Sequence, residues 1–179
     1  MTKSYEQISI DDYAFKKVEV RLCLREDNTI YSTDPVTSPD AAVNIMADMM
    51  RDLDREMVAV VNLDAKNRPI NFNIVSIGSV NRSLAPIQNI MKSGILANAA
   101  SILLLHSHPS GDVTPSAEDR QLTVKLIEAG KLMELPVLDH VIVGAGTGYK
   151  YSFRECEQDL FGGAYRKEVL NIGAKGTAR

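Results

Sequence analysis

The sequence predicts a single α/β domain built on a mixed β-sheet flanked by helices. Three observations predict it. Short apolar runs, such as residues 57–63 and 101–106, alternate with stretches of helical spacing. Proline-marked helix starts recur at Ser38-Pro39, Pro86 and Thr114-Pro115. No repeat, low-complexity tract or linker divides the 179 residues, a length that suits one sizeable core.

The elements follow in order. Residues 1–15 carry no clear pattern. In residues 17–24, Val18, Val20, Leu22 and Leu24 alternate with more polar neighbours, which predicts a half-buried strand. After the Ser38-Pro39 start, Val43, Met46, Met50 and Leu53 fall on one helix face. Residues 57–63 form a buried strand. The turn chemistry of 64–69 joins it to a second strand over 70–80. Pro86 opens a helix with Ile87, Ile90, Met91 and Ile95 at helical spacing. A strand over 101–106 is followed by a helix from Thr114-Pro115, with Leu122, Leu126 and Ile127 as its apolar stripe and Gly130 near its end. Strands near 137–143 and 149–153 flank the turn GAGTG. The order is β-α-β-β-α-β-α-β-β. Residues 1–40 are expected to form an N-terminal extension, 41–155 the domain, and 156–179 a C-terminal extension in which Leu160 and Phe161 offer packing contacts.

Composition narrows the function classes. The chain is 45% hydrophobic and 24% charged, which fits a folded globular protein. Its net charge of −3 and lack of a basic block give no support for a large nucleic-acid footprint. Cys23 and Cys156 have neither zinc spacing nor a disulfide framework, so a reduced, cytoplasmic setting is expected. No apolar stretch is long enough for a membrane span, and the first residues lack a signal-peptide core.

The chemistry concentrates in residues 106–119, HSHPSGDVTPSAED. In an extended segment i and i+2 point to one side, so His106 and His108 can converge on one ion. Pro109, Ser110 and Gly111 then turn the chain, and a returning helix can present Ser116 and Asp119 on one face. Two imidazoles and the Asp119 carboxylate leave one position open on a tetrahedral zinc, the ligand count of a catalytic site. SxxD is also a capping pattern, with Ser116 as N-cap and Asp119 at N3. Thr114-Pro115 is the better start signal by sequence, which would free both residues from capping. His140 begins a strand and reads as a structural or supporting histidine, since a further protein ligand would close the position that water needs. The GAGTG glycines precede a strand, with no GK[ST], and read as a hairpin turn.

The pattern HxHPxGxxxPSxxD resembles the metal-binding signature of the JAB/MPN+ (JAMM) metalloproteases. The segments HSHPSG, TPSAED and LDHVIVG are most similar to the RadC branch, and the likeness covers about residues 50–155. It implies a JAB/MPN-like fold with cytidine-deaminase-like layering. It implies Zn2+ held by His106, His108 and Asp119, with Ser116 stabilising the transition state. It also implies a glutamate general acid/base, and DREMVAVVNLD matches the segment that carries it, selecting Glu56. Glu118 is nearer the ligands in sequence, but its place next to Asp119 turns it about 100° away on a helix. Ser107 stands where the family commonly has asparagine, and its side chain should face away from the ligands. The helix-hairpin-helix region of full-length RadC proteins is not expected within residues 1–40, where residues 17–24 read as strand instead.

Three functions compete. The first is a zinc-dependent peptidase or isopeptidase acting on a peptide or protein substrate. The second is a non-hydrolytic, metal-containing accessory module that binds DNA or a repair partner. The third is another zinc hydrolase such as a nucleobase deaminase, against which the missing H-x-E and PCxxC elements count.

Overall fold

Apolar runs too short for helices, bounded by turn residues, become the strands of this protein. The computed structural model describes residues 35–50, 54–78 and 85–162, with side chains of 45–50 excepted. The strand expected over 17–24 lies outside the described residues, as do the side chains of Met46 and Met50, residue Leu53, and residues 79 and 80.

The elements are α1 (Pro39–Met50), β1 (Glu56–Leu63), β2 (Pro69–Gly78), α2 (Ile87–Leu96), β3 (Ser101–His108), α3 (Ala117–Leu132), β4 (Val137–Gly144), β5 (Lys150–Ser152) and a short α4 (Phe153–Cys156), followed by a 3-10 turn (Gln158–Phe161). The sheet order is β2-β1-β3-β4-β5. Only β3 and β4 pair in parallel, joined through α3; the other pairs are antiparallel. This is the mixed sheet that the element order predicts.

Both faces of the sheet are covered, which explains why the central strands read as unbroken apolar runs rather than alternating ones. Val58 and Val60 of β1, Ile102 and Leu104 of β3, and Ile142 of β4 pack under α2 and α3 against Ile90, Met91, Leu122, Leu126 and Ile127. The neighbouring residues Ala59, Val61, Leu103, Leu105, Val141 and Val143 face the other way, with Val36 and Ala42. Each fully buried Leu or Ile in these layers contributes roughly 1.5–3 kcal/mol. The period of two therefore assigns every even-numbered residue of β1 and β3 to the α3 face.

Local signals account for most boundaries. Ser38 caps α1, its hydroxyl accepting from the Ala41 amide at 3.2 Å. Asp64 closes the β1–β2 turn by accepting from the Lys66 and Arg68 amides at 2.8 and 2.9 Å. The GAGTG segment is a hairpin turn between β4 and β5, with the Gly144 amide bonded to the Tyr149 carbonyl at 3.0 Å.

Three expectations need correction. Ile95 is exposed, since the buried face of the last turn of α2 runs through Ser93 and Gly94, which leaves Ile95 on the outer side. The strand near 149–153 ends at Ser152, whose hydroxyl accepts from the Glu155 amide at 3.1 Å and starts α4. The third correction concerns the start of α3. Thr114 does not cap it: the Thr114 amide is drawn to Asp112 Oδ1 at 2.9 Å in an Asx turn. Ser116 is the N-cap and forms a capping box with Asp119. Phe161 is buried and Leu160 packs against the same core, so this part of the C-terminal segment closes onto the domain.

Candidate metal centre

The site lies at the end of the α3 face. Glu56, His106 and His108 carry even numbers and share the face of Val58 and Leu104. Val58 pairs with His106 across β1 and β3, and Met57 with Ser107, which brings Glu56 level with His108 one residue further on. Ser107 faces the opposite side, where its hydroxyl accepts from the Met57 amide at 3.3 Å and ties the two strands together at the site. β3 runs to His108, two residues beyond its expected end, so both histidines stand on regular strand.

The side chains converge closely. A Glu56 carboxylate oxygen and one ring nitrogen from each of His106 and His108 lie within 4.8 Å of one another. His106 stands between two acids, with Nε2 4.0 Å from Glu56 Oε2 and Nδ1 3.0 Å from Asp119 Oδ1. His108 Nε2 is 3.6 Å from Asp119 Oδ2. The α3 capping box brings Asp119 to this point. Its Oδ2 accepts from the Ser116 amide at 2.8 Å and the Ser116 hydroxyl at 2.6 Å, while the Asp119 amide returns to Ser116 Oγ at 3.1 Å. Capping and site geometry are thus one arrangement: the cap occupies Oδ2 and leaves Oδ1 turned to His106. Glu118 is exposed and turns away.

Each ring is held differently. His108 Nδ1 lies 2.7 Å from the Asp112 carbonyl, which can only accept, so Nδ1 carries the proton and Nε2 presents its lone pair to the site. His106 has no such tether. Its ring is edge-on to His108, with centroids 4.7 Å apart, and near-parallel to His140 at 6.0 Å. His140 stacks in turn on Phe153 at 4.8 Å. His140 Nδ1 meets Thr123 Oγ1 at 2.7 Å, and that hydroxyl donates to the Asp119 carbonyl at 2.7 Å.

The donor set fits a divalent cation. Among the described residues, both ring nitrogens of His106 and Asp119 Oδ1 are buried without a hydrogen-bond partner; the 3.0 Å contact between them lacks hydrogen-bond geometry. Each such orphan costs about 1–3 kcal/mol. A cation would take one His106 lone pair together with Asp119 Oδ1, the other ring nitrogen being the N–H of a neutral imidazole, and a set of imidazole and carboxylate donors suits zinc.

Electrostatics agree with this clustering. Burial pulls the Asp119 pKa upward, but His106, His108 and Ser116 overcome it and hold the carboxyl far below its usual range. Asp119 in turn raises the pKa of His108. Burial, reinforced by His106, pushes His140 down to about 3. Burial pushes Asp139 up to about 6, against donors at Ser152 Oγ, the Arg154 amide and the His140 amide.

These last two shifts predict a pH dependence. The stability gained by keeping His140 neutral is full above its unfolded value of 6.5 and is lost as pH falls toward about 3. Asp139 has the opposite sign: its burial costs stability above pH 6, and the cost is relieved as pH falls toward 3.8. The metal-free His140→Phe variant should therefore gain stability relative to the wild type as pH falls from 6.5 to 4. Urea midpoints measured across that range check it; a constant difference between the two proteins would contradict it.

The loop behind His108 rests on the β4–β5 turn. The His108 carbonyl accepts from the Gly111 amide at 3.1 Å and the Ala145 amide at 3.0 Å. A Cβ at Gly144 would lie 2.5 Å from the Gly111 carbonyl oxygen and 2.6 Å from Thr147 Oγ1. Gly144→Ala should push this loop from its seat and cost about 1–3 kcal/mol in thermal denaturation.

Comparison with known proteins agrees with the motif. The model of the RadC-like JAB domain matches residues 36–159. The chain belongs to this family. A UPF0758 protein from Caldanaerobacter subterraneus is 46% identical over 113 residues, covering 63% of this chain and 48% of the relative. One from Roseiflexus sp. is 45% identical over 111 residues, covering 62% and 48%. One from Desulfitobacterium hafniense is 39% identical over 134 residues, covering 72% and 59%. The chain spans about half the length of the curated relatives it matches. Among the described residues of this RadC-like JAB domain, no helix is long and apolar enough to cross a membrane.

The sites expected from sequence, Glu56, His106, His108, Ser116 and Asp119, all meet at one place. Sequence reasoning missed two contributors. Asp112 acts through its backbone carbonyl, which no side-chain pattern signals. Thr123 follows Asp119 by one helical turn on the same buried face, and that i+4 spacing was its only trace.

Proposed function

We propose that this RadC-like JAB domain is a zinc-dependent peptidase or isopeptidase. The observation that carries the reading is the close meeting of Glu56, His106 and His108, with Asp119 Oδ1 3.0 Å from His106 Nδ1 and that nitrogen and oxygen both buried without a hydrogen-bond partner. His106, His108 and Asp119 would hold the metal. When bound, zinc supplies Lewis acidity and lowers the pKa of its water to about 7.

The protein's own groups divide the remaining work. Asp119 is buried and anchored through Oδ2, as suits a ligand held in fixed geometry. Glu56 has 26% of its side chain exposed, so solvent and substrate reach it. It accepts the proton of the attacking water and passes it to the leaving amine. His108 is kept in one tautomer by the Asp112 carbonyl. Ser116 is exposed at the helix start and redirects its hydroxyl proton from Asp119 Oδ2 to the developing oxyanion.

The test is a screen of the purified, zinc-loaded chain against peptide and isopeptide libraries. Cleavage that stops with chelator and returns with added zinc supports the reading. A metal-loaded chain that cleaves nothing, and instead binds DNA with a steep salt dependence, supports the accessory-module alternative.

A further inference from the structure

We propose that His140 and Thr123 form a positioning pair that sets the metal site, His140 stacking behind His106 and Thr123 connecting it to the backbone of Asp119. This rests on the zinc reading above and deepens it.

The two histidines of the motif are oriented by different means. His108 has a hydrogen-bonded tether through Nδ1 at 2.7 Å from the Asp112 carbonyl. His106 has no hydrogen-bond partner at either nitrogen among the described residues. Beside the 3.0 Å contact of its Nδ1 with Asp119 Oδ1, its ring plane is set by packing: the His140 ring lies 13° from parallel at 6.0 Å, and Phe153 backs His140 at 10° and 4.8 Å. A stack of planar rings restricts rotation of the outermost one while leaving both of its nitrogens free for other partners.

The hydrogen bonds have a forced direction. The Asp119 carbonyl can only accept, so the single Thr123 hydroxyl proton goes to it at 2.7 Å. Thr123 Oγ1 must then accept from His140, which puts the His140 proton on Nδ1. The sequence His140 Nδ1–H to Thr123 Oγ1–H to the Asp119 carbonyl ties β4 to the first turn of α3. One ring therefore lies beside that of His106, with centroids 6.0 Å apart, and reaches Asp119 through a single hydroxyl. His140 Nε2 remains buried and unpartnered among the described residues. A purely structural role offers no reason to keep a ring with a buried, unsatisfied nitrogen where phenylalanine would fill the stack.

The test measures zinc affinity by competition with a chelator of known affinity, alongside melting of the metal-free proteins. His140→Phe keeps a ring in the stack and removes the donor. Thr123→Val keeps the shape and removes the hydroxyl. Each is expected to fold with the wild-type circular dichroism spectrum and bind zinc about 10–100-fold more weakly. Thr123→Ser keeps the hydroxyl and is expected to bind as the wild type does, and metal-free His140→Phe is expected to melt no lower than the wild type at neutral pH. Should His140→Phe fail to fold, the Thr123 variants decide the matter. Wild-type affinity in folded Thr123→Val and His140→Phe overturns the positioning role and leaves the zinc reading intact. A wild-type chain that binds no zinc overturns both.

Discussion

Asp119→Ala is expected to weaken zinc binding at least about a hundredfold while the chain still folds. Zinc sites contribute roughly 10–16 kcal/mol, so losing one ligand of three or four removes about 3–5 kcal/mol, a fall in affinity of about 10²–10⁴-fold. The same substitution removes the N3 half of the capping box, because the Ser116 amide and hydroxyl both donate to Asp119 Oδ2. That loss costs about 1 kcal/mol. Asp119→Asn separates the two effects. It keeps an oxygen for the cap and loses the charge, so zinc should be lost with a smaller fall in melting temperature. Calorimetric zinc titration and thermal melts of the three proteins measure both quantities. Zinc binding that survives Asp119→Ala at the wild-type affinity would place the metal elsewhere.

Glu56→Gln should leave zinc in place and stop turnover. The amide fills the same space at the start of β1 and accepts no proton. General acid–base catalysis contributes about 10²–10⁴-fold, and kcat should fall within that range. Zinc affinity should stay close to the wild-type value, since on this reading His106, His108 and Asp119 hold the metal and the amide keeps the volume of the Glu56 side chain. Cleavage at the wild-type rate would exclude Glu56 as the base. A parallel loss of zinc would make it a ligand instead.

Much of this arrangement is legible in the sequence because it follows from periods. The i, i+2 spacing of His106 and His108 on a strand, and the i, i+3 spacing of Ser116 and Asp119 on a helix, are local geometry. The apolar runs of β1, β3 and β4 signal a sheet covered on both sides, and the structure has one. What the sequence misreads is a competition between two valid local rules. Thr114-Pro115 is a good helix start, yet the Asx turn at Asp112 holds Thr114 before the helix, and Ser116 takes the cap. The expected choice between capping and a site role therefore does not arise, because a carboxylate has two oxygens and here they serve different partners.

The remaining gaps are long-range. Ile95 belongs to an apolar stripe by spacing, but the last turn of α2 meets the core through Ser93 and Gly94, the latter against Leu135 and Ile102, and Ile95 is left on the outer side. That Glu56 joins the histidines depends on the β1–β3 register, which is set by the pairing of two buried strands and carries no local signal. The resemblance to the JAB family placed it there, and the register brings its carboxylate to 4.0 Å from His106.

Zinc-edge anomalous diffraction from crystals of the zinc-loaded chain tests the central claim most directly. One strong peak per chain is expected, about 2.0–2.2 Å from a nitrogen of His106, a nitrogen of His108 and an oxygen of Asp119, with Glu56 outside bonding distance. A peak bonded to Glu56 and remote from Asp119, or no peak at these residues, would contradict it.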